Sequence, residues 1–149
     1  MIDFVYNTDF QIENQGVFSK WLVKVAAAEN CLIHDLVFLF VSDQELLAMN
    51  KKYLKHNYFT DVITFGELEG DKISGNIAIS VDRVLDNSKT YGVRFDEELK
   101  RVMVHGLLHI IGYNDKTKKE KLTMSQKETN ALKMSVSYTH LTLPTTGIV

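Results

Sequence analysis

The stretch FDEELKRVMVHGLLHIIG (95–112) limits the fold more than any other part of the chain. Asp96, Glu97 and Glu98 stand where a helix dipole favours acids, and Gly112 stands where a left-handed residue can end the helix. Between them Val102, Val104, Leu107, Leu108, Ile110 and Ile111 leave little polar surface. The stretch is therefore a mostly buried helix, and the other elements must pack around it. Yet it carries His105 and His109, and buried imidazoles need partners.

The remaining elements follow from period and punctuation. IDFVY (2–6) reads as a strand and 16–31 as an amphipathic helix. LIHDLVFLFV (32–41) is apolar and rich in β-formers, which predicts a buried strand. Ser42 with Glu45 forms a capping-box pattern and opens a second helix through about Tyr53. TDVITF (60–65) and NIAISV (76–81) are strands joined as a hairpin through ELEGDK. A short helix covers Asp82 to Lys89, and a last one, polar on most faces, covers 116–134. The order β-α-β-α-β-β-α-α-α predicts one α+β domain, a small mixed sheet flanked by helices. With 149 residues, 45% of them hydrophobic, such a domain has material for a core. The segment SVSYTHLTLPTTGIV (135–149) fits neither period and resembles translated adapter read-through. The expected domain is therefore 1–134, with 135–149 a non-native or unstructured tail.

Bulk properties exclude several classes. Net charge is −2, so nucleic-acid binding has to rest on local charge. The single cysteine, Cys31, allows no internal disulfide and suits a reducing cytoplasm. No apolar run approaches the roughly 20 residues of a membrane span, and no signal-peptide pattern opens the chain. A cytoplasmic protein is expected.

His105 and His109, four apart, share one helix face with β-carbons about 5–6 Å apart. After Gly112 the chain can turn back and bring Asp115 to the same point. Two imidazoles and one carboxylate leave an open coordination position, the arrangement of a catalytic metal site. A helical histidine pair is often only polar decoration, but the apolar setting and the Gly112–Asp115 continuation favour a metal. The spacing matches the metalloprotease pattern H-E-x-x-H-x-x-G-x-x-H or its aspartate-ended variant, except that Gly106 occupies the place of the catalytic glutamate. Spacing thus predicts a metal, and Gly106 argues against peptide hydrolysis.

VHGLLHIIGYND, followed by KLTMSQKE, resembles the YbeY family of bacterial rRNA-maturation endoribonucleases. The family pattern H-G-x-L-H-L-x-G-Y-D-H is followed by a helix with a Met and a Glu, matched here by Met124 and Glu128. MNKKYLKHNYFTDVITF (49–65) is similar to the family's N-x-x-Y-R…T-D-V-L-S-F, and SGNIAIS (74–80) to its G-D-I-x-I-S. The resemblance implies a zincin-like fold and a zinc ion, one per chain. It also implies single-strand-specific RNA cleavage in 16S rRNA 3′-end maturation and ribosome quality control, with single-stranded rRNA and the small ribosomal subunit as partners. It fixes no oligomeric state. This chain departs from the pattern at three places. Asp115 takes the position of the third histidine ligand, Leu54 that of an arginine, and Asn76 that of an aspartate.

Hydrolysis of a phosphodiester would then run through water on the metal held by His105, His109 and Asp115. Lys52, Lys55, Thr60, Asp61 and Tyr113 are candidate substrate contacts, and Lys52 or Lys55 is the candidate substitute for the arginine. Lys116, Lys118, Lys119 and Lys121 follow the ligands and can hold phosphates, although lysine runs are commonly just solvated faces. Tyr53, Tyr58 and Phe59 are candidates for stacking unpaired bases. His56 reads as a solvated loop residue, and His34 as a structural strand residue. Two rival readings are a zincin-like metallopeptidase and a non-catalytic, metal-binding ribosome-assembly factor.

Overall fold

The structure, a computed structural model, describes residues 1–142, with side chains described to Ser135. Four strands, β1 (Ile2–Tyr6), β2 (Leu32–Val41), β3 (Val62–Glu69) and β4 (Lys72–Ser80), form one mixed sheet in the order β1-β2-β4-β3. β1 and β4 both run parallel to β2, and β3 pairs antiparallel with β4. Five α-helices complete the described residues: α1 (Gln15–Ala28), α2 (Asp43–Met49), α3 (Val81–Tyr91), α4 (Phe95–Ile111) and α5 (Lys118–Thr142). The α+β arrangement read from the sequence is the one observed.

Alternation along the strands sorts the side chains to two faces. Leu36, Phe38 and Phe40 of β2 join Ile73, Ile77 and Ile79 of β4 in the main core, which holds α4 together with residues of α1, α3 and α5. The reverse face is thinner: Val41, Ile63 and Ala78 are covered by Leu46 of α2. The Trp21 indole N–H donates to the Ala131 carbonyl at 2.8 Å and ties α1 to α5. No helix among the described residues is long and apolar enough to cross a membrane.

Several boundaries differ from expectation. The hairpin is tighter than ELEGDK suggests, because Glu69 pairs with Lys72 and only Gly70 and Asp71 turn. Charged residues on an edge strand hid this pairing. Ser42 does cap α2, accepting from the Glu45 amide at 3.2 Å, but regular helix stops at Met49. The chain continues as a π-helical turn (Asn50–Leu54) that ends at Lys55 in the left-handed region, φ 57°. The last helix runs past Met134 to Thr142, since no glycine or proline interrupts it before Pro144. The rest of the expected tail, residues 143–149, lies outside the described residues.

Candidate metal centre and its cleft

The end of α4 builds the centre. Gly112 has φ 126°, which a residue with a β-carbon rarely adopts, and its amide donates to the carbonyls of Leu108 and His109. The Tyr113 amide returns to the Leu108 carbonyl at 3.0 Å, so the helix stops within one residue. The reversal brings Asp115 back over the helix. Its Oδ2 lies 3.2 Å from His105 Nε2 and 3.4 Å from His109 Nε2, and the two nitrogens are 2.9 Å apart. The three expected ligands therefore converge on one point.

The hydrogen bonds on the far sides of the rings decide which nitrogens are free. His109 Nδ1 lies 2.9 Å from the Tyr113 carbonyl, which can only accept, so Nδ1 carries the proton. His105 Nδ1 lies 2.6 Å from Glu128 Oε2 and donates to that carboxylate. Each ring, when neutral, then has a lone pair on Nε2. Two lone pairs at 2.9 Å, with a carboxylate oxygen beside both, repel unless positive charge lies among them. The donor set therefore fits a divalent transition ion, with His105, His109 and Asp115 as its holders.

Behind His105 runs a polar chain whose two carboxylates are buried and whose arginine is half-buried. Glu128 Oε1 accepts from Arg101 Nη1 at 3.2 Å, and Arg101 Nε is 4.0 Å from Glu98. Burial opposes a charge on His105, but the hydrogen bond and charge of Glu128, with Asp115 and Asp61, outweigh it and raise its pKa. Glu98 is 3% exposed, and its Oε1 is buried without a hydrogen-bond partner. Burial lifts its pKa to about 7 against the pull of Arg101, with Asp61, Glu128 and Glu97 adding to the rise. Asp61 is raised as well, by burial above all, against the pull of His105.

The three candidate ligands open into a cleft of about 570 Å³ whose lining includes Leu54, His56, Thr60, Asp61, Thr64 and Lys116. Thr60 and Asp61 are both part of that lining. Lys52 and Lys55 do not line the cleft; the Lys52 ammonium sits over the Tyr53 ring instead. The Tyr113 hydroxyl donates to Glu29 at 2.5 Å, away from the ligands, and the site uses its carbonyl. Tyr53, Tyr58 and Phe59 are exposed, and His34 is exposed on β2. The side chain of His140 lies outside the described residues.

Three participants were not assigned roles from sequence: Arg101, Glu98 and the contact of Glu128 with His105. A signal existed for Glu128, which shares a buried stripe of α5 with Met124, Ala131 and Ser135 at spacings of four, three and four. A glutamate in such a stripe needs a partner. Gly106 also gains a reason. A β-carbon there would stand 2.8 Å from Ile77 Cγ2 and 3.1 Å from Thr64 Oγ1. The position that holds the protease glutamate is filled here by contact between helix and sheet.

Known proteins resemble this chain in fold and in sequence. A solution structure from Thermotoga maritima superposes with a TM-score of 0.67 over 96% of this chain and 94% of that one, at 22% identity. An "Endoribonuclease YbeY" of Karelsulcia muelleri is 47% identical over 86% of this chain and 91% of its own length. The protein of the same name in Flavobacterium psychrophilum is 42% identical over 90% and 96%. The family model described as "Endoribonuclease YbeY" matches residues 5–135, a span that holds the ligands, Arg101 and Glu128 alike. With the histidine helix, its returning aspartate and the sheet beneath them all inside that match, the chain belongs to the YbeY family.

Proposed function

We propose that this chain is a metal-dependent endoribonuclease of rRNA maturation, cutting single-stranded rRNA near the 3′ end of the 16S species and serving ribosome quality control. The observation that carries the reading is the convergence of His105, His109 and Asp115 on one point at the floor of an open cleft. Relatives named as endoribonucleases at 42–47% identity supply the substrate class. Zinc is the proposed ion, one per chain, because two imidazoles and a carboxylate with open positions suit it. When bound, it supplies Lewis acidity toward a phosphoryl oxygen and an acidified water.

The side chains have separate tasks. Glu128 and the Tyr113 carbonyl hold the two rings with their Nε2 atoms toward the ligand point. Thr60 and Asp61 line the cleft as substrate contacts, and Lys116 brings positive charge to its mouth. Charge of that kind attracts a phosphate backbone and makes binding salt-sensitive. The machinery is contained in residues 1–134, with the tail outside it. The workplace is the cytoplasm, and the partner beyond rRNA is the small ribosomal subunit.

The test uses the full chain. Bound metal and cleavage of a single-stranded rRNA fragment are measured for wild type, His109→Ala and Asp115→Ala. Wild type should hold about one ion and cleave, chelation should stop cleavage, and both variants should lose metal and activity together. Equal metal content in all three would remove the site. Cleavage that persists in the metal-free variants would remove the mechanism.

A further inference from the structure

The lining of the cleft holds no arginine, and Leu54 is part of it. Lys52 and Lys55, the nearest cations in sequence, are turned to other surroundings or absent from the lining. His56 does line it, from the exposed loop position that the sequence predicts.

Three features show that His56 is held rather than loose. Asn50, 1% exposed, fastens the loop at two points: its carbonyl accepts the His56 amide at 3.1 Å, and its Nδ2 donates to the Tyr58 carbonyl at 2.9 Å. The chain enters His56 from a π-helical turn and through Lys55 at φ 57°, ψ 29°. Both conformations are uncommon for ordinary residues and recur at functional sites. The imidazole itself is stacked on Tyr58, with centroids 5.1 Å apart and planes at 19°. Its Nδ1 lies 2.9 Å from the Tyr58 hydroxyl.

That last contact sets the ring's chemistry. When the phenol donates to Nδ1, the neutral imidazole carries its proton on Nε2. When the ring is charged, both nitrogens are donors and Nδ1–H turns to the phenol oxygen. In both of these states Nε2–H can donate to an anion, and only the other neutral tautomer, with Nδ1–H toward the phenol oxygen, lacks that donor. The Thr64 hydroxyl and the Lys116 ammonium also belong to the lining, whereas the Thr60 hydroxyl donates to the Val62 carbonyl at 3.4 Å.

We infer that His56, buttressed by Tyr58, is a substrate-binding residue of the cleft whose Nε2–H donates to a phosphate oxygen of the single-stranded RNA. The inference rests on the endoribonuclease reading for the identity of the anion. It assigns to His56 a phosphate contact from within the lining, which holds neither Lys52 nor Lys55.

The test compares wild type, His56→Ala, His56→Gln and Tyr58→Phe as metal-loaded full-length chains. Steady-state cleavage gives KM and kcat. Binding of a short fluorescein-labelled single-stranded oligoribonucleotide is measured by anisotropy after chelation, when no cleavage occurs. His56→Ala should raise both KM and Kd about tenfold, the size of one charge-assisted hydrogen bond, with a smaller change in kcat. His56→Gln, which keeps an N–H donor, should recover most of the binding, and Tyr58→Phe should fall between. Bound metal should be the same in all four. Binding by His56→Ala within twofold of wild type would overturn the inference, as would a loss confined to kcat. If wild type binds the RNA through His56 yet never cuts it, the nuclease reading fails and this contact stands. If wild type cuts and His56→Ala binds normally, only the contact fails.

Discussion

Glu128 is the most informative residue to change, because it touches a candidate ligand without being one. Its Oε2 lies 2.6 Å from His105 Nδ1 and its Oε1 3.2 Å from Arg101, in a side chain only 10% exposed. Glu128→Ala removes the acceptor that fixes the His105 ring and its lone-pair nitrogen. A hydrogen bond to a charged group contributes about 1.5–3 kcal/mol. Losing the outer partner of a metal-bound histidine typically weakens affinity about ten- to hundredfold, or about 1.4–2.8 kcal/mol. The two figures agree, so a loss near thirtyfold in zinc affinity is expected. Glu128→Gln keeps an acceptor for one partner but not the charge, and should lose less than tenfold by the same reasoning. Competition against a chromophoric zinc chelator reads both values, with Gln126→Ala on the exposed face of α5 as the control. Arg101 is 30% exposed and partly hydrated, so the metal-free protein should lose only about 1–2 kcal/mol in thermal unfolding, less than a fully buried pair would. Zinc affinity of Glu128→Ala within twofold of wild type would refute the role given to the carboxylate.

Two further outcomes follow from the same packing. Glu98 has a folded pKa of about 7 against an ordinary 4.5, so the folded state prefers its proton. Below pH 4.5 both states are protonated and nothing is lost. Between 4.5 and 7 the unfolded chain ionises first and stability falls, and above 7 a loss on the order of 3 kcal/mol stands in full. Glu98→Gln should therefore melt higher than wild type at about pH 8 and near it at about pH 4.5, and a destabilised variant at both would contradict this. Gly106→Ala should lower stability: Ala favours helix by about 1 kcal/mol, but overpacking against Ile77, which is fully buried, costs about 1–3. A raised melting temperature would mean that helix and sheet have room to part.

What could be read from the chain was what depends on near neighbours. His105, His109, Gly112 and Asp115 lie within eleven residues, and helix geometry alone carries the first two to one face. The strands were legible from their β-formers, although the charged ends of β3 and β4 concealed how far they pair. The contacts of Glu128 were not legible, because they join residues 23 and 27 positions apart through the docking of α5 on α4. Nor was the setting of His56. It depends on Asn50, whose buried amide looks in sequence like any polar residue near a helix end. The expected roles of Lys52 and Lys55 came from proximity in sequence, whereas the left-handed turn at Lys55 separates them from the cleft that receives His56.

All three candidate metal-holding side chains come from a single helix end, while the carboxylate that steadies one of them arrives from the next helix. Hook and clasp thus belong to different elements, so a disturbance of how α5 docks on α4 reaches the His105 ring without altering any of the three side chains that would grip the ion.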